Sequence, residues 1–376
     1  MSEMFGVDKF NIVQDGEYYY FFRSLEPGDI EDIENGIGLK DGKIAHLRTD
    51  RERYEENPNN QSPKYNESSE VSLQEFCDHI KIHYRHDTNC ISFSSNSNVA
   101  LSYGRDWFSD RYVAIKVPKS EIGKTVFNAG EYLLDEISKA ISEKEKELDI
   151  EDSRIIDLLR KIDECNSKDE VVDIVASIYK LSDSKKSYTG KKLGEKVTIS
   201  SRFNKYRALS EEQNLEKDKI FAKLTILEYY GKIRGLIPHT AKNSKLLETV
   251  GNAFSSSEII QYGDTKDLDV IEISPKIMDM LSLLQQANEQ LEKENSDKSF
   301  VENEKNKIHE IQMKLIEFSM HGYSIENKNG KLVFANNEQE IELGLDENSS
   351  LLNLEDSYQE LDIDEMYELT RWKSKF

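Results

Sequence analysis

The sequence contains few of the residues and segments that mark several common classes of protein. Only 3 of its 376 residues are cysteines, and a small, odd number of cysteines in a long chain argues against a disulfide framework. No stretch reaches the ~20 apolar residues of a membrane helix. Residues 1–6 show neither the basic region nor the apolar run of a secretory signal. We therefore expect a protein of a reducing compartment that does not associate with membranes.

Basic charge is also scarce. The formal net charge is −22 and the mean hydropathy is −0.68. Residues 332–370 contain 12 acidic residues and no lysine or arginine, so they supply more than half of this excess. An acidic surface repels phosphate backbones, so general affinity for nucleic acid is disfavoured.

Hydrophobic periodicity predicts a mixed α/β domain over residues 1–290, interrupted by a helical insertion at about 131–234. Residues 291–376 are predicted to form a charged helix followed by an acidic accessory segment with a small hairpin. Residues 40–69 are polar and are expected to form a long loop. Strands are predicted at residues 17–22, 90–94, 112–118, 257–261 and 270–273. Helices are predicted at residues 72–84, 98–103, 132–148, 152–162, 170–181, 210–230, 276–293 and 301–320.

Three of these strands carry a polar residue within or at the end of a run of strand-forming residues. Along the chain the order is an arginine, then a Ser-x-Ser pair, then a glutamate. The three segments are residues 20–23 (Tyr-Phe-Phe-Arg), 91–94 (Ile-Ser-Phe-Ser) and 257–260 (Ser-Glu-Ile-Ile).

Strand-borne Arg, Ser-x-Ser and Glu in this order resemble the ADP-ribosyltransferase superfamily. The resemblance spans about residues 17–290 and implies an α+β fold of split mixed β-sheets with NAD between them. It implies a mono-ADP-ribosyltransferase that transfers ADP-ribose from NAD, its substrate, to a macromolecular acceptor and releases nicotinamide. A helical insertion and an acidic C-terminal appendage would then serve target recognition.

The resemblance also implies a role for each site residue. Cleavage of the nicotinamide–ribose bond passes through an oxocarbenium-like state that one carboxylate can stabilise. Glu258 would be that carboxylate and would also bind the ribose 2′-hydroxyl. Arg23 would bind the NAD phosphates or the ribose, because its planar fork makes paired charge-assisted bonds. Ser92 would hold the ribose with support from Ser94, and the Tyr103 ring would lie over nicotinamide.

A second glutamate competes with Glu258 for the catalytic role. The superfamily's closing motif is a Glu, a strand, a Gly turn, a second strand and a helix. Residues 258–275 contain all of these parts, with Gly263 at the turn. Glu131 instead leads into a helical pattern. Position 256 holds serine where many arginine-modifying members have Glu or Gln, so arginine is not expected as the acceptor.

A group of cysteine and histidine residues invites a zinc interpretation, but its spacing matches no zinc framework. We predict no metal site there and expect a packed helix and strand. The group consists of Cys77, His79, His83, His86 and Cys90.

Two other functions remain open from the sequence. The same residues would serve an NAD glycohydrolase with water as acceptor, and the acidic segment would suit a non-catalytic interaction protein. The resemblance to ADP-ribosyltransferases, in a chain rich in lysine, asparagine and isoleucine, implies a bacterial toxin, effector or phage-defence factor, with an antitoxin or immunity protein as a further partner. Such a protein would be cytoplasmic, or delivered to a host cytosol by a route that needs no signal peptide.

Overall fold

A computed structural model describes residues 12–56, 71–81, 87–106, 109–182, 211–232, 236, 246–294, 298–328, 331–336 and 340–342. Helices and strands alternate at both ends of this range, and helices dominate its middle, which confirms the predicted α+β class. The described helices are α1 (Pro27–Glu34), α2 (Asp50–Glu56), α3 (Leu73–Lys81), α4 (Ser97–Asp106), α5 (Ala129–Glu147), α6 (Ser153–Glu164), α7 (Lys168–Ser182), α8 (Glu211–Tyr229), α9 (Leu246–Ser255), α10 (Pro275–Glu294) and α11 (Lys298–Met320).

The described strands fall into a six-stranded sheet, a three-stranded sheet and a two-stranded hairpin. They are β1 (Tyr18–Ser24), β2 (Leu39–Lys40), β3 (Lys43–Ile44), β4 (Cys90–Ser94), β5 (Tyr112–Pro118), β6 (Val126–Asn128), β7 (Glu258–Tyr262), β8 (Asp269–Ile273), β9 (Ser324–Lys328), β10 (Lys331–Ala335) and β11 (Glu340–Glu342).

The chain divides into two compact units. The first, which we call the helical unit, comprises Met1–Val7, Asp50–Cys90 and Phe127–Glu258. The second, the sheet unit, comprises Asp8–Thr49, Ile91–Val126 and Ile259–Phe376. Three of the five boundaries between these ranges fall within strands, after Cys90 of β4, Val126 of β6 and Glu258 of β7.

The large sheet has the strand order β6-β7-β4-β1-β5-β8. Strand β1 pairs antiparallel with β5 along its whole length, from Tyr18↔Pro118 to Ser24↔Tyr112. With β4 it pairs antiparallel at Phe22↔Ser94. Strands β7, β4 and β1, which carry the three polar segments, are therefore consecutive in the sheet.

One face of this sheet packs against helices α4, α10 and α11. Alternate side chains of β1, such as Tyr20 and Phe22, enter this core because successive residues of a strand point to opposite faces. The predicted accessory segment begins with α11, and α11 contributes Ile308, Ile311 and Leu315 to the same core.

The helical unit has its own apolar interior. Helix α8 packs against α5, α6 and α7, and α9 packs against α3 and α5. The rings of Phe76, Phe127 and Tyr132 meet with centroids 5.0–5.4 Å apart. Burial of such aromatic surface stabilises the unit.

Two predictions of local structure are wrong. Residues 40–56 do not form the predicted loop. Strands β2 and β3 form a hairpin through Asp41 and Gly42, both at positive φ, and helix α2 follows. Helix α4 does not end at Gly104. Glycine is needed there because a Cβ would lie 2.6 Å from the Tyr112 hydroxyl.

Several other elements have the predicted order, and some predicted segments lie outside the described residues. Strand β5 and the module β7–turn–β8–α10 have the predicted order, with Gly263 at φ +87° in the turn. The hairpin β9–β10 is present and gains a third strand, β11, that was not predicted. In the described part of the chain no helix is long and apolar enough to cross a membrane. Residues 57–70 and most of the acidic segment lie outside the described residues.

Candidate functional site

Arg23 lies near the end of β1 and is buried, with 7% of its surface exposed. Its Nε and Nη2 donate to Asp29 Oδ2 at 3.0 and 2.9 Å. Nη2 also lies 2.9 Å from a carboxylate oxygen of Glu26, and Nη1 donates to the carbonyl oxygen of Ser92 at 2.8 Å. One guanidinium therefore connects β1, the start of α1 and β4.

The local sequence explains this connection. Pro27 favours the first turn of α1 because it lacks an amide N–H that would need an acceptor. Asp29, in the same turn, accepts from the Glu26 backbone N–H at 2.9 Å as well as from Arg23. The Asp29 side chain is fully buried, so its charge requires the arginine.

Ser92 is half-buried and Ser94 is buried. The Ser94 hydroxyl accepts from the Asn96 backbone N–H at 3.0 Å and orders the turn into α4. Because Ser94 pairs with Phe22, it lies on the Phe22 face of the sheet, and Arg23 projects toward the other face. Arg23 thus reaches β4 through the Ser92 carbonyl group, whose position it fixes.

The turn after β4 is also held by α10. Gln285 Oε1 accepts from both the backbone N–H and the hydroxyl of Ser97, each at 2.8 Å. Gln285 Nε2 donates to the Ser95 carbonyl oxygen at 3.4 Å. A buried glutamine therefore satisfies an amide group at the start of α4 that has no partner within the helix.

Tyr103 lies in α4 and is half-buried. Tyr103 lies within the helix that follows the Ser-x-Ser strand, whereas the sequence pattern predicts that this helix ends at Tyr103. Its proposed contact with nicotinamide stays a prediction. Trp107, another aromatic residue near this strand, lies outside the described residues.

Glu258 is the first residue of β7 and is 8% exposed. The Ser256 hydroxyl lies 3.3 Å from Glu258 Oε2. Burial, together with the carboxylates of Glu75, Glu258 and Asp50, holds the pKa of the Cys90 thiol well above its usual range. Glu258 therefore occupies an acidic, water-poor environment at the edge of the helical unit.

The competing Glu131 lies in the first turn of α5. Its backbone N–H donates to Asn128 Oδ1 at 3.2 Å, and its carboxylate is bonded to Lys217 of α8. Burial raises the pKa of Glu131, although Lys217 opposes the shift, and burial lowers the pKa of Lys217, although Glu131 opposes it. Glu131 is thus a helix-borne, paired carboxylate, whereas Glu258 leads a strand.

The cysteine and histidine residues considered for zinc have other contacts where they are described. His79 Nδ1 is 2.8 Å from the Thr88 hydroxyl. Cys77 and Cys90 are buried and are not joined in a disulfide bond. His83 and His86 lie outside the described residues. Among the described residues, no group of three His, Cys, Asp or Glu side chains is arranged to hold a metal ion.

Some residues around the candidate site could not be found from the sequence. Asp29 has one local signal, since an acidic residue two positions after Pro27 is typical of a first helical turn. The sequence around Lys217 and Gln285 carries no such signal, because their partners are far away along the chain. No protein-family model, curated protein or solved structure matches this chain.

Proposed function

We propose that the protein transfers ADP-ribose from NAD to a macromolecular acceptor and that its fold is of the ADP-ribosyltransferase type. The observation that carries the proposal is the adjacency of β7, β4 and β1 in the large sheet. Three segments that are far apart in the sequence, and that share a polar residue in a strand context, lie on consecutive strands. Adjacent strands can bring such residues to one site, as the proposed chemistry requires.

In this proposal Glu258 is the catalytic carboxylate. Its partly desolvated position strengthens its interaction with positive charge that develops on the ribose. Ser92, which is half-buried, binds the ribose hydroxyl groups. Ser94 supports Ser92 by ordering the turn that follows it.

Arg23 acts in this proposal through β4. Its positive charge lies against Asp29 and Glu26, which offset its attraction for a phosphate. Its bond to the Ser92 carbonyl oxygen fixes the strand that binds the ribose. Direct binding of the NAD phosphates by Arg23 stays a prediction of the resemblance.

The test is the replacement Glu258→Gln, assayed by nicotinamide release and by calorimetric NAD affinity. Glutamine keeps the shape but removes the charge that faces the oxocarbenium ion, so turnover should fall about 10²- to 10³-fold. NAD affinity should change little, because ground-state NAD has little of that positive charge. Glu272→Gln is the matched control, since Glu272 is a strand-borne, exposed glutamate paired with Arg111.

The remaining alternatives are separated by further arms of the same experiment. Loss of turnover in Glu131→Gln but not in Glu258→Gln would transfer the catalytic role to Glu131. Nicotinamide release without labelling of any macromolecule in a lysate given labelled NAD would indicate an NAD glycohydrolase. The wild-type protein releasing no nicotinamide would favour the non-catalytic interaction protein.

A further inference from the structure

The connection from α9 to β7 contains an unusual backbone conformation. Ser257 has φ +46°, in the left-handed region that favours glycine. A residue with a Cβ is strained in this conformation. The conformation reverses the chain between the last turn of α9 and Glu258, so the strain lies next to the proposed catalytic carboxylate.

The reversal brings the Ser256 hydroxyl between two acceptors. Its Oγ lies 2.7 Å from the Asn252 carbonyl oxygen and 3.3 Å from Glu258 Oε2. A hydroxyl has one proton to donate and can also accept. When Glu258 is protonated, it can donate to Ser256 while Ser256 donates to Asn252. When Glu258 is ionised, its carboxylate and the Asn252 carbonyl oxygen are both acceptors, so the Ser256 hydroxyl can donate its proton to only one of the two.

Two other carboxylates act, like that of Glu258, on the thiol of Cys90. Glu75 and Asp50 act with Glu258 on the Cys90 thiol, so negative charge is concentrated in this part of the helical unit. A hydrogen bond donated to the Glu258 carboxylate would favour its ionised form against that charge. Helices α3, α5 and α8 pack against α9. Lys217 of α8, which is bonded to Glu131 of α5, lies 5.5 Å from the centre of the Phe254 ring in α9.

We propose that Ser256 is the positioning residue of Glu258. As the carboxyl loses its proton, the Ser256 hydroxyl turns from the Asn252 carbonyl group to the carboxylate and holds it in one orientation toward the ribose. The proposal rests on the proposed function for its catalytic consequence. The hydrogen-bond exchange itself does not depend on it.

The first test is a titration of the Glu258 carboxyl by NMR, with carboxyl-labelled glutamate and with Glu258→Gln to assign the signal. Ser256→Ala should raise the titration midpoint by about one pH unit, because the ionised form loses a donor. Ser256→Thr keeps the hydroxyl and should stay within about 0.3 unit of wild type. Ser142→Ala is the matched control, since Ser142 makes the same bond to the carbonyl four residues earlier on an exposed part of α5.

The second test is kinetic. Ser256→Ala should shift the acidic limb of the pH profile of nicotinamide release upward by the same amount. It should lower kcat about tenfold with KM for NAD within about twofold, because positioning of the carboxylate matters chiefly in the transition state. A merely structural loss of the bond to Asn252 would leave the pH profile in place.

The outcomes separate the two proposals. Equal titration midpoints in wild type and Ser256→Ala would overturn the role of Ser256, whatever the enzyme does. A wild-type protein that releases no nicotinamide would overturn the proposed function, whereas the titration would still decide the exchange. If Ser256→Ala does not fold, the Ser256 Cβ signal of the wild type decides instead. It should move with the Glu258 midpoint, and a signal constant through that range would overturn the proposal.

Discussion

The sheet unit and the helical unit each bury a contact between a cation and a carboxylate, and the two contacts differ in kind. Arg23 and Asp29 are 7% and 0% exposed, and the guanidinium also binds Glu26 and the Ser92 carbonyl oxygen. Lys217 and Glu131 are 12% and 21% exposed, and burial shifts the pKa of each toward its neutral form.

The difference follows from the chemistry of the two cations. The planar fork of arginine presents several fixed donors, so one side chain can join two strands and a helix start. The ammonium group of lysine is a compact, strongly hydrated charge, and here it joins α5 to α8 and lies 5.5 Å from the centre of the Phe254 ring. The arginine contact organises the candidate site, whereas the lysine contact holds two helices together at a desolvation cost.

The largest effect should come from Arg23→Ala. The replacement leaves the Asp29 carboxylate buried without its cation, which typically costs about 3–5 kcal/mol of unfolding free energy. Arg23→Lys should recover only part of this loss, because lysine cannot bond Asp29 and the Ser92 carbonyl group together. Urea unfolding followed by circular dichroism provides the measurement.

Arg111→Ala is the control for Arg23. Its pair with Glu272 is exposed, and exposed pairs contribute about 0–1 kcal/mol. Losses of similar size in Arg23→Ala and Arg111→Ala would contradict the organising role of Arg23.

A smaller and pH-dependent effect is expected for Lys217→Met. Removing the cation raises the pKa of Glu131 further, so the folded protein binds more protons than the unfolded chain. A carboxyl group whose pKa is higher in the folded protein than in the unfolded chain contributes stability at pH values below its unfolded-chain pKa. That contribution is lost as the pH rises through its folded-state pKa. The loss relative to wild type should be about 2–3 kcal/mol near pH 8 and smaller near pH 5.

Unfolding curves at several pH values test this prediction. Lys139→Met, which removes an exposed pair on the same helix α5, should leave the curves unchanged. A loss in Lys217→Met that is the same at pH 5 and pH 8 would show that Glu131 does not respond to its partner.

The smallest effect should come from Gln285→Leu, which replaces a neutral buried group. The substitution removes the bonds to Ser97 and Ser95, and unsatisfied buried groups of this kind cost about 1–2 kcal/mol. Gln286→Leu is the neighbouring comparison, since Gln286 is half-buried and donates to Asn98 Oδ1 at 2.6 Å. A larger loss in Gln286→Leu would mean that the turn after β4 does not depend on Gln285.

The local sequence pattern is sufficient to predict an element that is long or is flanked by turn residues. Strand β5 has the predicted bounds, because residues 112–118 are rich in β-branched and aromatic residues. Strand β6 was missed because three residues cannot show an alternation. The sequence pattern wrongly predicts a helix end at Gly104, because the close approach of Tyr112 that requires glycine there is a tertiary contact.

The candidate site divides in the same way. The sequence determined that Arg23, Ser92 and Glu258 belong to strands, since runs of strand-forming residues surround each of them. Only the tertiary structure decided that these strands are neighbours, that Arg23 is bonded to Asp29, and that Glu131 is paired with Lys217. Pairings of this kind depend on loop closure and burial across many residues, and no local periodicity encodes them.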